Sequence, residues 1–270
     1  MNKFKKKILL LYKFILLIIF LLILLFNKFG IKKVKKIGVI GLRHEINIGN
    51  NLLKYAIFVK LSELGFKPYI IGTLLNNYDI SFLKNNTNYI IINNSFNEIK
   101  KDEYDILMVN SDQTWRKFDK HFYDYGFLRF AENWTTPKFI YGASLGYSEW
   151  YFTKKETSII KHLLQNFTGI SVREKGSIDL IYKHLQIKPV FVLDPTLLID
   201  KKYYLNLINN YKRTPNENYI FVYLLLNEKH VINYIKYASE QLSYKIVNVK
   251  LGEKDAIKNF IYGIFKMFLP

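Results

Sequence analysis

The order of three stretches limits what this chain can fold into more than any other feature: KKIGVIGL at residues 35–42, a helical pattern, and KPYIIGT at 67–73. The first is apolar without alternation and is entered from a basic segment, as expected of a strand covered on both faces. RHEINIG then reads as a loop. In NNLLKYAIFVKLSELGF (50–66), Leu52, Leu53, Ala56, Val59, Leu61 and Leu64 recur at helical spacing, and Gly65 marks the stop. Strand, loop, helix and strand in this order make a βαβ unit with parallel strands. Further strands are predicted at 89–92, 104–109, 138–143, 169–172 and 190–193, with helices near 155–166 and 175–185. The fold class is therefore α/β, an open, doubly wound parallel sheet. Ligands of such sheets bind beyond the carboxyl ends of the strands.

After VFVLDPTLLID (190–200), in which Pro195 turns the chain out of the sheet, residues 201–218 are polar and turn-rich and read as a linker. A strand at 220–226, a helix over 229–242 and a strand at 244–251 then start a second α/β unit in residues 219–270. One βαβ unit cannot bury both of its faces, so this second domain is expected to be incomplete. The first domain is placed at residues 37–200.

Residues 8–26, ILLLYKFILLIIFLLILLF, are nineteen residues with one charge, Lys13. As a helix they are long enough to cross a hydrocarbon core, with Lys13 near the end where it can snorkel. FNKFG offers no small-residue cleavage site, so residues 1–36 are expected to be an uncleaved single-pass anchor in membrane lipid. Lysines on both flanks leave the orientation open by charge alone. Ten of the 40 basic residues lie in residues 1–36, which hold no acid, leaving 30 against 22 acids in the rest. Over half of the net charge of +18 thus belongs to the anchor segment. What remains suits an anionic ligand or a solvated lysine surface, and no nucleic-acid motif accompanies it. There is no Cys, and the five His show no metal-ligand spacing, so neither disulfides nor a metal site is expected.

Four stretches lie where a ligand would bind. In INIGNN (46–51), Gly49 and Asn50 open a helix whose backbone N–H groups accept a phosphate or carboxylate, or else Asn50 simply caps it. In VNSDQTW (109–115), Ser111, Asp112 and Gln113 stand behind an apolar strand with Trp115 two residues further on. The alternative there is a polar connection capped by Ser111 or Asp112. In YGASLGYSEW (141–150), Ser144 and Gly146 allow close approach of a ligand or of a neighbouring backbone. In ISVREKGS (170–177), Arg173 at the strand end can take a phosphate or carboxylate bidentately, or pair with Glu174 or Asp194.

Taken in order, NIGNNLLKYAIFVKLSELGF, YDILMVNSDQTW, FIYGASLG, ISVREKGSIDLI and VFVLDPTLLID resemble the polysaccharide pyruvyl transferase family over roughly residues 37–200, with weaker likeness through YIFVYLLL. The resemblance implies a GT-B-like architecture of two Rossmann-like domains facing a cleft. It implies transfer of the enolpyruvyl carbons of phosphoenolpyruvate to hydroxyls of a cell-surface glycan, giving a pyruvate ketal and phosphate without a cofactor. Ser111, Asp112 and Gln113 would then bind acceptor hydroxyls, with Asp112 as a base, and Trp115 would stack on a pyranose. Arg173 and the helix start at Asn50 would supply positive potential to the phosphate. Asn110 departs from the family's usual glycine, and the family's histidine-containing motif of the second domain has no match before Pro270. The resemblance therefore implies a C-terminally truncated chain, inactive alone unless a separately encoded half supplies the rest, with its globular part in the cytoplasm. The competing expectations are a non-catalytic glycan-binding or scaffold remnant of the fold and a GT-B nucleotide-sugar glycosyltransferase.

Overall fold

The computed structural model describes residues 35–40, 48–71, 90–92, 96–110, 112–117, 122–208, 218–224, 229–249 and 260. The first unit runs β1 (Lys36–Ile40), α1 (Ile48–Glu63), β2 (Lys67–Ile71), β3 (Ile90–Ile92), β4 (Ile106–Val109), α2 (Phe122–Phe127), β5 (Lys138–Ala143), α3 (Lys154–Leu164), β6 (Gly169–Val172), α4 (Gly176–Leu185) and β7 (Val190–Phe191). These strands form one parallel sheet in the order β3-β2-β1-β4-β5-β6-β7. The α/β parallel sheet expected from the sequence is present, and its order reverses between β1 and β4.

β1 is central, with Val39 opposite Ile70 of β2 on one side and Met108 of β4 on the other. Its residues alternate between two cores. Ile37 and Val39 pack with Ile57, Phe58 and Leu61 of α1, whereas Ile40 joins the core that contains Ile160 and Leu163 of α3 and Ile181 and Leu185 of α4. Helices thus cover both faces, which is why the central strands lack the apolar–polar alternation of a half-exposed sheet. Gly38 is required by packing: a Cβ there would lie 2.6 Å from the Ile71 side chain and 3.0 Å from Leu107.

Past β7 the chain enters α5 (Lys201–Ile208), so the stretch expected to be a linker begins with a helix. Tyr204 and Leu207, three apart on one face, are buried with Ile48, Leu52, Tyr55 and Ala56 of α1. Tyr203 and Ile208 pack partly buried beside them, so four of its eight residues hold the helix against its neighbour. The second sheet pairs β8 (Tyr219–Tyr223) in parallel with β9 (Lys245–Val249), joined through α6 (Lys229–Leu242). Phe221 and Tyr223 pack on Phe260 and against the α1–α5 cluster. The expected membrane helix at 8–26 lies outside the described residues. Among the described residues, no helix is long and apolar enough to cross a membrane.

Candidate functional site

The chain leaving β4 continues to pair with the end of β5 instead of turning away. Asn110 N–H donates to Ile40 O at 3.2 Å, and Asp112 forms a parallel bridge with Ala143. Asp112 O accepts from Ser144 N–H at 2.9 Å and Thr114 N–H at 2.7 Å, and Trp115 N–H donates to Ser144 O at 3.1 Å. Asp112 adopts φ 107°. L side chains are disfavoured there, and only surrounding bonds of this kind hold them in place.

That backbone aims the Asp112 carboxylate at Arg173, which follows β6. Arg173 Nη2 donates to Asp112 Oδ1 at 2.9 Å, Nε to Glu174 Oε1 at 3.0 Å and Nη1 to Asp194 Oδ2 at 3.1 Å. Asp194 is itself fixed, accepting from Thr196 N–H at 3.0 Å and from its hydroxyl at 2.6 Å. Burial alone would lower the Arg173 pKa; the three carboxylates, Asp112 foremost, outweigh it and raise it. One guanidinium thus ties together the exits of β4, β6 and β7. The same cluster pushes up its tyrosine neighbours: burial first, then the Asp194 charge, raises the pKa of Tyr141, whose hydroxyl donates to Leu193 O at 3.0 Å.

In front of this lattice, over the carboxyl ends of β4, β5 and β6, lies a half-open pocket of about 440 Å³. Gln113 lines it from the β4 exit, Ser144, Gly146, Tyr147 and Ser148 from the β5 exit, and Glu174, Gly176, Ser177 and Leu180 from the β6 exit and α4. Among the described residues that line it there is no lysine or arginine. Glu174 Oε2 is buried without a hydrogen-bond partner. The size falls within the range of small-ligand sites, and the position is that expected of an open parallel sheet.

Of the residues singled out in the sequence, Gln113, Ser144 and Gly146 line the pocket together. Asp112 and Arg173 stand next to each other but are not among the lining residues. Of the two alternatives read for Arg173, a clamp on a ligand or pairing with Glu174 or Asp194, the guanidinium takes the second, pairing with both and with Asp112. Gly49 and Asn50 lie in the first turn of α1, which begins at Ile48, and do not line the pocket. Asn50 is therefore inside the helix, past the capping position. Ser111 lies outside the described residues. Trp115 corrects its expectation. Only 1% of it is exposed, its Nε1–H donates to Gly126 O at 3.0 Å and its ring stacks on Phe127 at 5.6 Å, so no pyranose can reach it.

Tyr147, Ser148, Glu174, Gly176, Ser177 and Leu180 were not among the predicted site residues; the first five lie in the two stretches already singled out, and Leu180 lies three residues past the second. Taking the whole β5 and β6 exits would have found five of them, and the next turn of α4 holds Leu180. The family model described as Polysaccharide pyruvyl transferase matches residues 47–266, a span that takes in every pocket residue and both sheets apart from β1. No protein of curated function matches the chain. With that match running through the strand exits that build the pocket, the chain belongs to the polysaccharide pyruvyl transferase family.

Proposed function

We propose that the protein transfers the pyruvyl group of phosphoenolpyruvate to two hydroxyls of one sugar in a cell-surface glycan, forming a ketal and releasing phosphate. The observation that carries this is the pocket of about 440 Å³ at the carboxyl edge of the sheet, lined by serines, a glutamine and a tyrosine, in a chain of this family. Such a lining suits a polyhydroxylated ligand.

The reaction balances without a cofactor. The enol CH2 gains one proton to become CH3, and two sugar oxygens bond to the adjacent carbon as the C–O bond to phosphate breaks. Of the two hydroxyl protons released, one matches the proton taken up by carbon and the other leaves with phosphate. Asp112 and Arg173 serve this site from behind the pocket wall. Their ion pair, with Asp194, sets the position of Glu174 and of the β4 exit. We assign residues 8–26 as a membrane anchor, with the globular part in the cytoplasm, where phosphoenolpyruvate is made.

The test is to incubate the purified full-length chain in detergent with phosphoenolpyruvate and a panel of glycans, following phosphate release and ketal formation. Coupled appearance of both supports transfer. The mostly neutral, hydroxyl-rich character of the described lining residues favours a second reading, a glycan-binding protein without transfer. Saturable glycan binding with no phosphate release from phosphoenolpyruvate would establish it instead.

A further inference from the structure

Tyr147 stands at the pocket with 51% of its surface exposed, an unusual position for a ring held from several directions. Its hydroxyl accepts from Arg116 Nε at 3.1 Å, and the Arg116 guanidinium lies 5.1 Å from the ring centroid. Tyr151 meets it edge to face at 4.8 Å and is anchored in turn through its hydroxyl to Trp115 O at 2.5 Å. Arg116 also donates from Nη1 to Gln113 Oε1 at 3.0 Å. That bond occupies the acceptor end of the Gln113 amide and leaves its NH2 group to donate. Gly146, at φ +72°, brings these parts into contact. A Cβ there would lie 3.2 Å from the Gln113 side chain and 3.3 Å from Arg116 Cδ. The result is an oriented aromatic surface beside an oriented amide donor, with Ser148 next in the chain. A ring ordered before binding loses little conformational entropy when a ligand covers it.

The charge around the pocket limits what that ligand is. Among the described lining residues the one charged side chain is Glu174. Arg116 stands at the rim with its Nε and Nη1 committed to Tyr147 and Gln113. Counting Arg173 behind the pocket, two guanidiniums face the three carboxylates Asp112, Glu174 and Asp194. This surrounding disfavours an anion and leaves a neutral, hydroxyl-bearing ring as the ligand that fits. We infer that Tyr147 is the stacking platform for a neutral pyranose, with the Gln113 amide and the Ser148 hydroxyl reading its hydroxyls, and that the anionic donor does not bind in this pocket. The inference rests on the transferase reading only in calling that pyranose the acceptor.

The experiment uses the full-length chain in detergent micelles. Its probes are methyl β-glucopyranoside and methyl β-galactopyranoside, with phosphoenolpyruvate and inorganic phosphate as anions. Binding is read by saturation-transfer NMR and by titration. At least one pyranoside is expected to bind through one ring face, Tyr147→Ala to weaken it about tenfold, and Tyr147→Phe to stay within about twofold of the parent, at unchanged melting temperature. Leu180→Trp, which fills the pocket without touching the tyrosine's hydrogen bond, is expected to abolish binding. Equal affinity in Tyr147→Ala, displacement of the pyranoside by either anion, or no pyranoside binding would each overturn the inference. Pyranoside binding lost in Tyr147→Ala, with no ketal formed by the parent chain, would sink the transferase reading and leave the sugar subsite standing. Ketal formation whose acceptor KM is unchanged in Tyr147→Ala would do the reverse.

Discussion

Trp115 is buried and Tyr147 stands exposed at the pocket, although only the tryptophan was expected to face a ligand and the tyrosine was not singled out in the sequence. Trp115 follows a polar run, yet what fixes it is the Gly126 carbonyl eleven residues on and the Phe127 ring, contacts made by a short helix that no local pattern announced. Tyr147 follows a glycine in an apolar stretch and comes out half exposed. Residue type and spacing located the strand exits, but whether a ring turns inward depends on partners that only the fold supplies. Truncating Trp115→Ala should accordingly cost about 3–5 kcal/mol of stability, the range for a large buried aromatic, read by denaturant titration. A loss under about 1 kcal/mol would return the ring to the surface. Arg173→Lys tests the lattice. A lysine keeps the charge but not the fork that reaches three carboxylates at once. We expect a loss of about 1–3 kcal/mol in the same titration, from charge-assisted bonds given up. An unchanged midpoint would show that the three contacts act independently of guanidinium geometry.

Among the elements, β5 and β6 were legible to the residue, at 138–143 and 169–172, because Pro137 and Gly169 delimit apolar runs. β7 was not, since only Val190 and Phe191 pair at the sheet edge, where few neighbours enforce a longer strand. α5 was hidden for a related reason: only Tyr204 and Leu207 are well buried, and the partner that makes it a helix is α1, about 150 residues away. α3 is defined by local chemistry instead. The Thr153 hydroxyl accepts from Glu156 N–H at 3.2 Å, and Glu156 Oε2 accepts from Thr153 N–H at 2.9 Å, a closed capping box. Thr153→Ala should cost about 1 kcal/mol. A contact from Lys117 and the bond from Thr153 N–H hold the Glu156 carboxyl below the usual carboxylate range. A depressed folded-state pKa gives stability that is present above the unfolded value and lost as pH falls through the folded one. The penalty of Glu156→Gln should therefore be full at neutral pH and shrink in acid, measured as the difference in melting temperature across a pH series. A constant difference would detach the cap from the ionised carboxylate.

For the whole molecule, the sequence conveyed the parallel sheet and its approximate limits because strand–helix alternation is a repeated local signal. Pairing of Arg173 with Glu174 or Asp194 was readable there as an alternative, whereas its bond to Asp112 at the β4 exit was not, since that depends on strand order. The anchor assigned to residues 8–26 belongs to this scale as well. The chain is expected to stay with membranes through carbonate extraction and to leave them once residues 1–36 are deleted. Release of the intact chain by carbonate would refute the anchor. Strand direction carries one more consequence. Every strand of the first sheet runs the same way, and the chain enters the central one at Lys36, on the edge opposite the pocket. A linker or immobilising tag joined ahead of Lys36 therefore pulls on the closed end of the domain and leaves the open end facing solution. A sensor surface coupled through that side should report glycan capture at full capacity, whereas coupling through side chains of the β5 exit should mask it.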